Sequence, residues 1–133
     1  MNEVLIPVSA GELLDKITIL RIKAARMSDA QQLANVRLEL ALLEKTWTEI
    51  GGATVELTAE EHTLQAVNER LWDIEDRIRD REARQLFDRE FIDLARAVYA
   101  TNDERAAIKR RINVQLGSRI VEEKLYTAYQ KTP

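Results

Sequence analysis

The chain has 133 residues and a formal net charge of −3, with 45% hydrophobic and 32% charged residues, a composition typical of one soluble globular domain over residues 1–133. Because it has no cysteine, disulfides, thiolate metal sites and cysteine nucleophiles are excluded. The acidic balance argues against a nucleic-acid binder, and no apolar stretch approaches the roughly 18 residues of a membrane span. The start of the chain lacks the basic region of a signal peptide, so we expect a cytoplasmic protein.

A short apolar run, VLIPV at residues 4–8, precedes the first helix start. It is too short for a helix, and residues 1–8 are therefore predicted to form an extended arm. Such an arm either packs on its own domain, which is the simpler expectation, or exchanges with a partner subunit.

Two helices are predicted over residues 9–50. Ser9 and Glu12 have the S-x-x-E spacing of a capping box, in which each side chain satisfies the other's backbone N–H, so the first helix starts there. Apolar residues then recur in steps of three and four, and a second such pattern runs over residues 30–49. Since only a few residues around Ser28 link the two patterns, the helices should form an antiparallel hairpin.

Long helices are predicted over residues 58–117, followed by a short C-terminal helix over residues 118–131. A glycine pair ends the hairpin, and a further capping-box spacing starts the next helix near Thr58. Gly117 suits the position just after a helix end. The periodic segments together predict long helices with few interruptions.

Both hairpin helices carry apolar residues on a second side. At about 100° per residue, Ile19 and Ile22 lie away from the main apolar stripe of the first helix, and Leu38 and Leu42 lie away from that of the second. A helix that is apolar on two sides is packed between layers or forms a subunit contact. The pattern therefore favours an all-α bundle of about five helices that forms a homodimer.

The sharpest catalytic pattern is acidic: Asp73 and Asp76, then Glu90 and Asp93. Paired carboxylates of this kind hold Mg²⁺ against a triphosphate in all-α nucleotide pyrophosphohydrolases. That chemistry requires the four acids to point into the bundle, whereas the helical wheel places most of them away from the apolar stripes. A solvated charged face is therefore favoured, and the metal site is kept as an alternative.

A second pattern is a row of polar residues at helical spacing: Asn102, Arg105, Lys109 and Asn113. If the helix that precedes them continues unbroken, these residues extend its buried stripe. Polar groups at such positions must be satisfied, and two cations there would form a pocket for a small anion such as a nucleotide or a sugar phosphate. Lys16 of the first helix is a further candidate ligand.

The alternative is a fresh helix that starts at Thr101. Thr101 and Glu104 have capping-box spacing, which favours this alternative. The buried stripe would then shift to Ile108 and Ile112, and the cations would face water.

Other candidates are weaker. Asp15 lies on the side of the first helix that carries Ile19 and Ile22, and a structural salt bridge to a cation of another helix is favoured there over catalysis. His62 is the one histidine, so neither a zinc site nor a Ser-His-acid triad is supported. No cofactor is expected.

Several segments, foremost GELLDKITIL and NDERAAIKRRIN, carry a resemblance over nearly the whole length. On these residues the chain resembles an uncharacterised family of short bacterial helical proteins. The resemblance implies a helical domain of this size, and it implies no activity or site residues.

The sequence therefore favours a non-enzymatic helical interaction module, homodimeric and with a possible protein partner. The alternative is a protein that binds a small anion, including the Mg²⁺-dependent pyrophosphohydrolase.

Overall fold

A computed structural model describes residues 2–129, and its regular elements are all helical. The chain is thus all-α, as predicted, but the described residues form four helices rather than about five. In chain order they are α1 (Ala10–Arg26), α2 (Ala30–Glu49), α3 (Val55–Ala83) and α4 (Arg89–Gln115). None of these helices is both long and apolar enough to span a membrane.

Side-chain caps fix three of the four helix starts. The hydroxyl of Ser9 accepts a hydrogen bond from the Glu12 N–H at 3.1 Å, which is one half of the predicted capping box, whereas the Glu12 carboxylate pairs with Lys109. Asp29 and Asp88 cap α2 and α4 in the same way as Ser9. Helix α3 begins at Val55 without a side-chain cap. The predicted start near Thr58 is therefore three residues late.

Helix α1 is the centre of the bundle. It packs against α2, α3 and α4, whereas among these four helices α2 packs against α1 alone. Leu14 and Ile17 are fully buried on one side of α1, and Ile22 is buried on another, which confirms that this helix lies between layers. The core around it is formed by Leu13, Leu14, Ile17, Trp47, Leu57, Leu64, Val67, Ile108 and Ile112.

The prediction of a fresh helix at Thr101 is wrong. Helix α4 runs unbroken through this position, and the Thr101 side chain is buried. A cap forms only where the preceding backbone leaves the helix, and here both halves of α4 bury apolar side chains, Leu94 before Thr101 and Ile108 after it. Continuing the helix keeps both contacts.

Residues 118–129 form no helix, so the helix predicted over residues 118–131 is wrong in that part, and residues 130 and 131 lie outside the described chain. Gly117, with φ 62°, ends α4 as expected. The Ser118 N–H bonds to the Asn113 carbonyl at 2.8 Å, the pattern of a Schellman motif. We call residues 118–129 the C-terminal strap, because side chains along it bond to α4 and to the start of α1.

Among residues 2–129, the N-terminal arm and one side of α2 leave apolar side chains uncovered. Residues 2–9 have no regular secondary structure, and Val4, Leu5 and Ile6 are 71%, 86% and 69% exposed, so this part of the arm does not pack on its own domain. On α2, Leu38 and Leu42 are 66% and 48% exposed. The second apolar side of α2 thus faces outward, unlike that of α1.

Candidate functional site

The polar row of α4 faces α1. Because α4 is unbroken, Asn102, Arg105, Lys109 and Asn113 lie on one face of it. The side chains of Arg105, Lys109 and Asn113 all bond to groups of α1. Of the two alternatives from the sequence, the unbroken helix therefore placed this polar row correctly on the inward face of α4.

A salt bridge between Asp15 and Arg105 lies at the centre of the site. Arg105 Nε donates to Asp15 Oδ1 at 2.9 Å, and Nη2 donates to Oδ2 at 2.6 Å. The Asp15 side chain is 2% exposed, so its charge depends on these two parallel bonds. The third arginine nitrogen, Nη1, donates to the Asn102 side-chain oxygen at 3.4 Å. The predicted structural salt bridge of Asp15 is confirmed.

Helix α3 contributes Asn68, which sequence reasoning missed. Asn68 Nδ2 donates to Asp15 Oδ1 at 2.9 Å and to Thr18 Oγ1 at 2.8 Å, and Thr18 Oγ1 donates to the Asp15 carbonyl at 2.8 Å. Asn68 is four residues after the core residue Leu64, so a polar side chain on the buried face of α3 was the available signal. We call Asp15, Thr18, Asn68, Arg105 and Lys109 the polar layer.

Lys109 joins the layer to the first turn of α1. Its Nζ lies 2.5 Å from Glu12 Oε2 and 3.8 Å from Asp15 Oδ2. Arg105 and Lys109 of α4 thus each face a carboxylate of α1. The Lys16 side chain is half exposed, and its Nζ lies 4.0 Å from Glu12 Oε1. It forms no bond to the four predicted ligands on α4. The anion pocket stays a prediction, and these internal carboxylates are what an anion would have to displace.

The start of α1 approaches α4 so closely that only glycine fits. The Gly11 N–H donates to Asn113 Oδ1 at 2.6 Å. A Cβ at Gly11 would lie 2.4 Å from the Lys109 carbonyl oxygen. The pairs Gly11 with Asn113, Glu12 with Lys109 and Asp15 with Arg105 therefore run in opposite directions along the two helices.

The C-terminal strap completes this helix start. Ser9 Oγ donates to one carboxylate oxygen of Glu122, and Asn113 Nδ2 donates to the other at 3.4 Å. Partial burial alone would raise the pKa of Glu122, but the bonds from Ser9 and Asn113 and the charge of Lys109 outweigh it. The pKa of Glu122 is consequently below its ordinary value.

The four acids of the alternative metal site do not converge. Asp76 lines a groove beside Trp72, and the other three form surface ion pairs: Asp73 with Arg26, Glu90 with Arg77 and Arg81, and Asp93 with Arg89. Over residues 2–129, no group of three or more acidic or histidine side chains is placed to hold a metal ion.

Fold and site together define an all-α protein whose central helix is fixed by a buried polar layer. The chain belongs to a family of unknown function, DUF6165, whose model matches residues 4–133. The resemblance to an uncharacterised family is thereby confirmed. No curated protein and no solved structure matches the chain.

Replacing Asp15 by Asn is expected to lower the free energy of unfolding by about 3 kcal/mol, because it leaves the Arg105 charge without its buried partner. Asp93→Asn is the matched control, since Asp93 only pairs with Arg89 on the surface, and there we expect a loss of about 0–1 kcal/mol. Urea unfolding of both variants measures the difference. Equal small losses would show that the polar layer does not depend on the Asp15 charge.

Gly11→Ala tests the close approach of α1 and α4, because the two possible causes change the stability in opposite directions. Helix propensity alone would stabilise the variant by about 1 kcal/mol, whereas the contact with the Lys109 carbonyl requires destabilisation. Ala25→Gly, at an exposed position of the same helix, measures the propensity contribution. A higher melting temperature for Gly11→Ala would contradict the contact.

Glu122 should make stability fall in acid. Its folded pKa is below the ordinary value of 4.5, so the ionised carboxylate stabilises the fold above pH 4.5 and loses that effect as the pH falls through the lowered pKa. In urea unfolding at a series of pH values, Glu122→Gln should weaken this acid dependence. Glu123→Gln is the control, because Glu123 forms an exposed pair with Arg110. Unchanged profiles for Glu122→Gln would contradict the strap contact.

Proposed function

We propose that this protein is a non-enzymatic helical interaction module that acts as a homodimer, with α2 as the contact between the two copies. The observation that carries the proposal is the position of α2. It packs on α1 alone, yet it exposes Leu38 and Leu42. An exposed apolar face of this kind is typical of a protein–protein contact.

The outward residues of α2 form a continuous stripe. At about 100° per residue, Ala34, Leu38, Ala41 and Leu42 fall within one side of the helix, opposite the buried Trp47. Leucine and alanine alternate along this stripe, so a second helix with the same stripe could approach closely and interdigitate. A second copy of α2 meets that requirement.

Charge favours an antiparallel arrangement of the two copies. Lys45 and Glu49 continue the stripe toward the C-terminal end of α2, and uncharged Gln31 and Asn35 continue it toward the N-terminal end. A parallel pair would place Lys45 beside the Lys45 of the second copy, and Glu49 beside its Glu49, so that like charges meet. An antiparallel pair related by a two-fold axis places each charge beside a neutral amide, and such isologous contacts are the commonest in dimers.

The exposed arm adds apolar surface to the contact. A single pair of 20-residue helices is about 30 Å long and buries less than the roughly 800 Å² per partner of a standard interface. Residues 4–6 are apolar and uncovered, and docking them on the second copy would enlarge the interface. This is the exchange that the sequence leaves open for the arm.

The non-enzymatic part of the proposal is supported by the internal pairing of the polar layer. Arg105 and Lys109 direct their charges at Asp15 and Glu12, so the layer is proposed to set the positions of the helices rather than to perform chemistry. The cytoplasmic location and the bacterial origin stay predictions from the sequence.

Light scattering at micromolar concentration is the direct test, and we expect the mass of a dimer. Leu38→Glu places a charge in the α2 stripe and should give monomers with an unchanged helical circular dichroism spectrum. Leu125→Glu is the matched control, because Leu125 is exposed on the C-terminal strap. A strictly monomeric wild-type protein, or monomers with Leu125→Glu but not with Leu38→Glu, would contradict the proposal.

A further inference from the structure

All three tyrosines of the chain surround one cavity between α4 and the C-terminal strap. The cavity has a volume of about 820 Å³ and lies away from the outward stripe of α2. Its lining includes aromatic and charged side chains: Tyr99, Asp103, Lys124, Tyr126 and Tyr129.

Helical spacing and the strap bring these groups together. Tyr99 and Asp103 are four residues apart and so lie on one face of α4. The rings of Tyr99 and Tyr129 lie 6.2 Å apart with their planes at 48°, and the Tyr129 hydroxyl donates to Asp103 Oδ2 at 2.9 Å. Two rings and a carboxylate thus form one corner of the cavity.

The electrostatics of the cavity favour a cation. Aromatic faces carry partial negative charge and attract ammonium groups. Over residues 2–129, no lysine or arginine nitrogen comes within 4.0 Å of the Asp103 carboxylate, so the carboxylate charge adds to that of the rings. At the corner formed by Tyr99, Tyr129 and Asp103, the same negative groups disfavour an anion.

The chain already places one ammonium group on these rings. Lys124 Nζ lies 5.9 Å from the centre of the Tyr126 ring, within the range of a cation–π contact. Lys124 is on the strap and lines the cavity. Its flexible side chain can swing out to leave this ring face to another cation.

We propose that this cavity is a binding site for an organic ammonium ion, with a methylated amine as the chemical class of ligand. Tyr99, Tyr126 and Tyr129 would contact the methyl groups, and Asp103 would supply the opposite charge. Methylated ammonium groups suit such a site because they are bulky, weakly hydrated and attracted to ring faces. Lys124 competes with the ligand for Tyr126.

Choline is the probe, and its uncharged carbon analogue dimethylbutanol is the matched control ligand. In NMR titrations of the full chain, we expect saturable binding of choline in the millimolar range, with an upfield shift of its N-methyl protons from the tyrosine rings. A peptide that carries trimethyllysine tests whether the group is recognised equally well on a protein. Binding of either charged probe supports the site. The proposal would be overturned if neither charged probe gave a saturable shift, or if dimethylbutanol bound as well as choline.

Variants separate the site from unspecific attraction. Asp103→Asn and Tyr99→Leu should each weaken choline binding about threefold to tenfold, and Lys124→Met should strengthen it by removing the competing ammonium. Glu104→Gln is the control, because the neighbouring Glu104 pairs with Arg70 outside the cavity. An equal loss with Glu104→Gln and Asp103→Asn, or weaker binding by Lys124→Met, would contradict the proposal. The amide spectra of all variants report whether the fold is retained.

Discussion

The compensation of one buried charge, that of Asp15, determines how the helices are placed. A carboxylate that is removed from water must meet a cation and further donors, or the fold loses several kcal/mol. Arg105 and Asn68 supply these groups from two other helices. A shift of α4 by one turn, about 5.4 Å, would separate the charges. The apolar contacts of the core are less demanding, because leucine and isoleucine side chains pack in many registers.

The two main segments on which the family resemblance rests meet at the polar layer and at the start of α1 beside it. GELLDK contributes Gly11, Glu12 and Asp15, and NDERAAIKRRIN contributes Arg105 and the residues one and two turns beyond it. Gly11, Glu12 and Asp15 of the first segment bond to residues of the second, namely Asn113, Lys109 and Arg105. The segments are therefore parts of one helix contact, and this contact accounts for the residue types at these three pairs of positions through packing and charge.

Local patterns predicted local structure well. The caps, the helical periodicity and the two-sided nature of α1 were all accessible from the sequence, because each depends on residues within one or two turns. The helix start predicted at Thr101 was wrong because the capping-box spacing occurs there by chance, inside a helix that has buried residues both before and after Thr101. Asn68 and the strap were missed for a different reason. Their partners are 53 and 113 residues away in the sequence. The sequence places Asn68 on the apolar face of α3, but it does not show which distant group a side chain will bond to.

The Schellman turn at Gly117 has a consequence for the order of folding. It directs the strap back along α4 so that Glu122 reaches Ser9, and the central pair of Asp15 and Arg105 joins residues that are 90 positions apart. Contacts of such range form slowly, since a long loop must close first. During synthesis, α1 leaves the ribosome first among the four described helices, and its partners Arg105 and Lys109 are in α4, the last of them. The Asp15 carboxylate of the central helix therefore stays in water until almost the whole described chain has been synthesised, and it becomes buried only when α4 packs on α1.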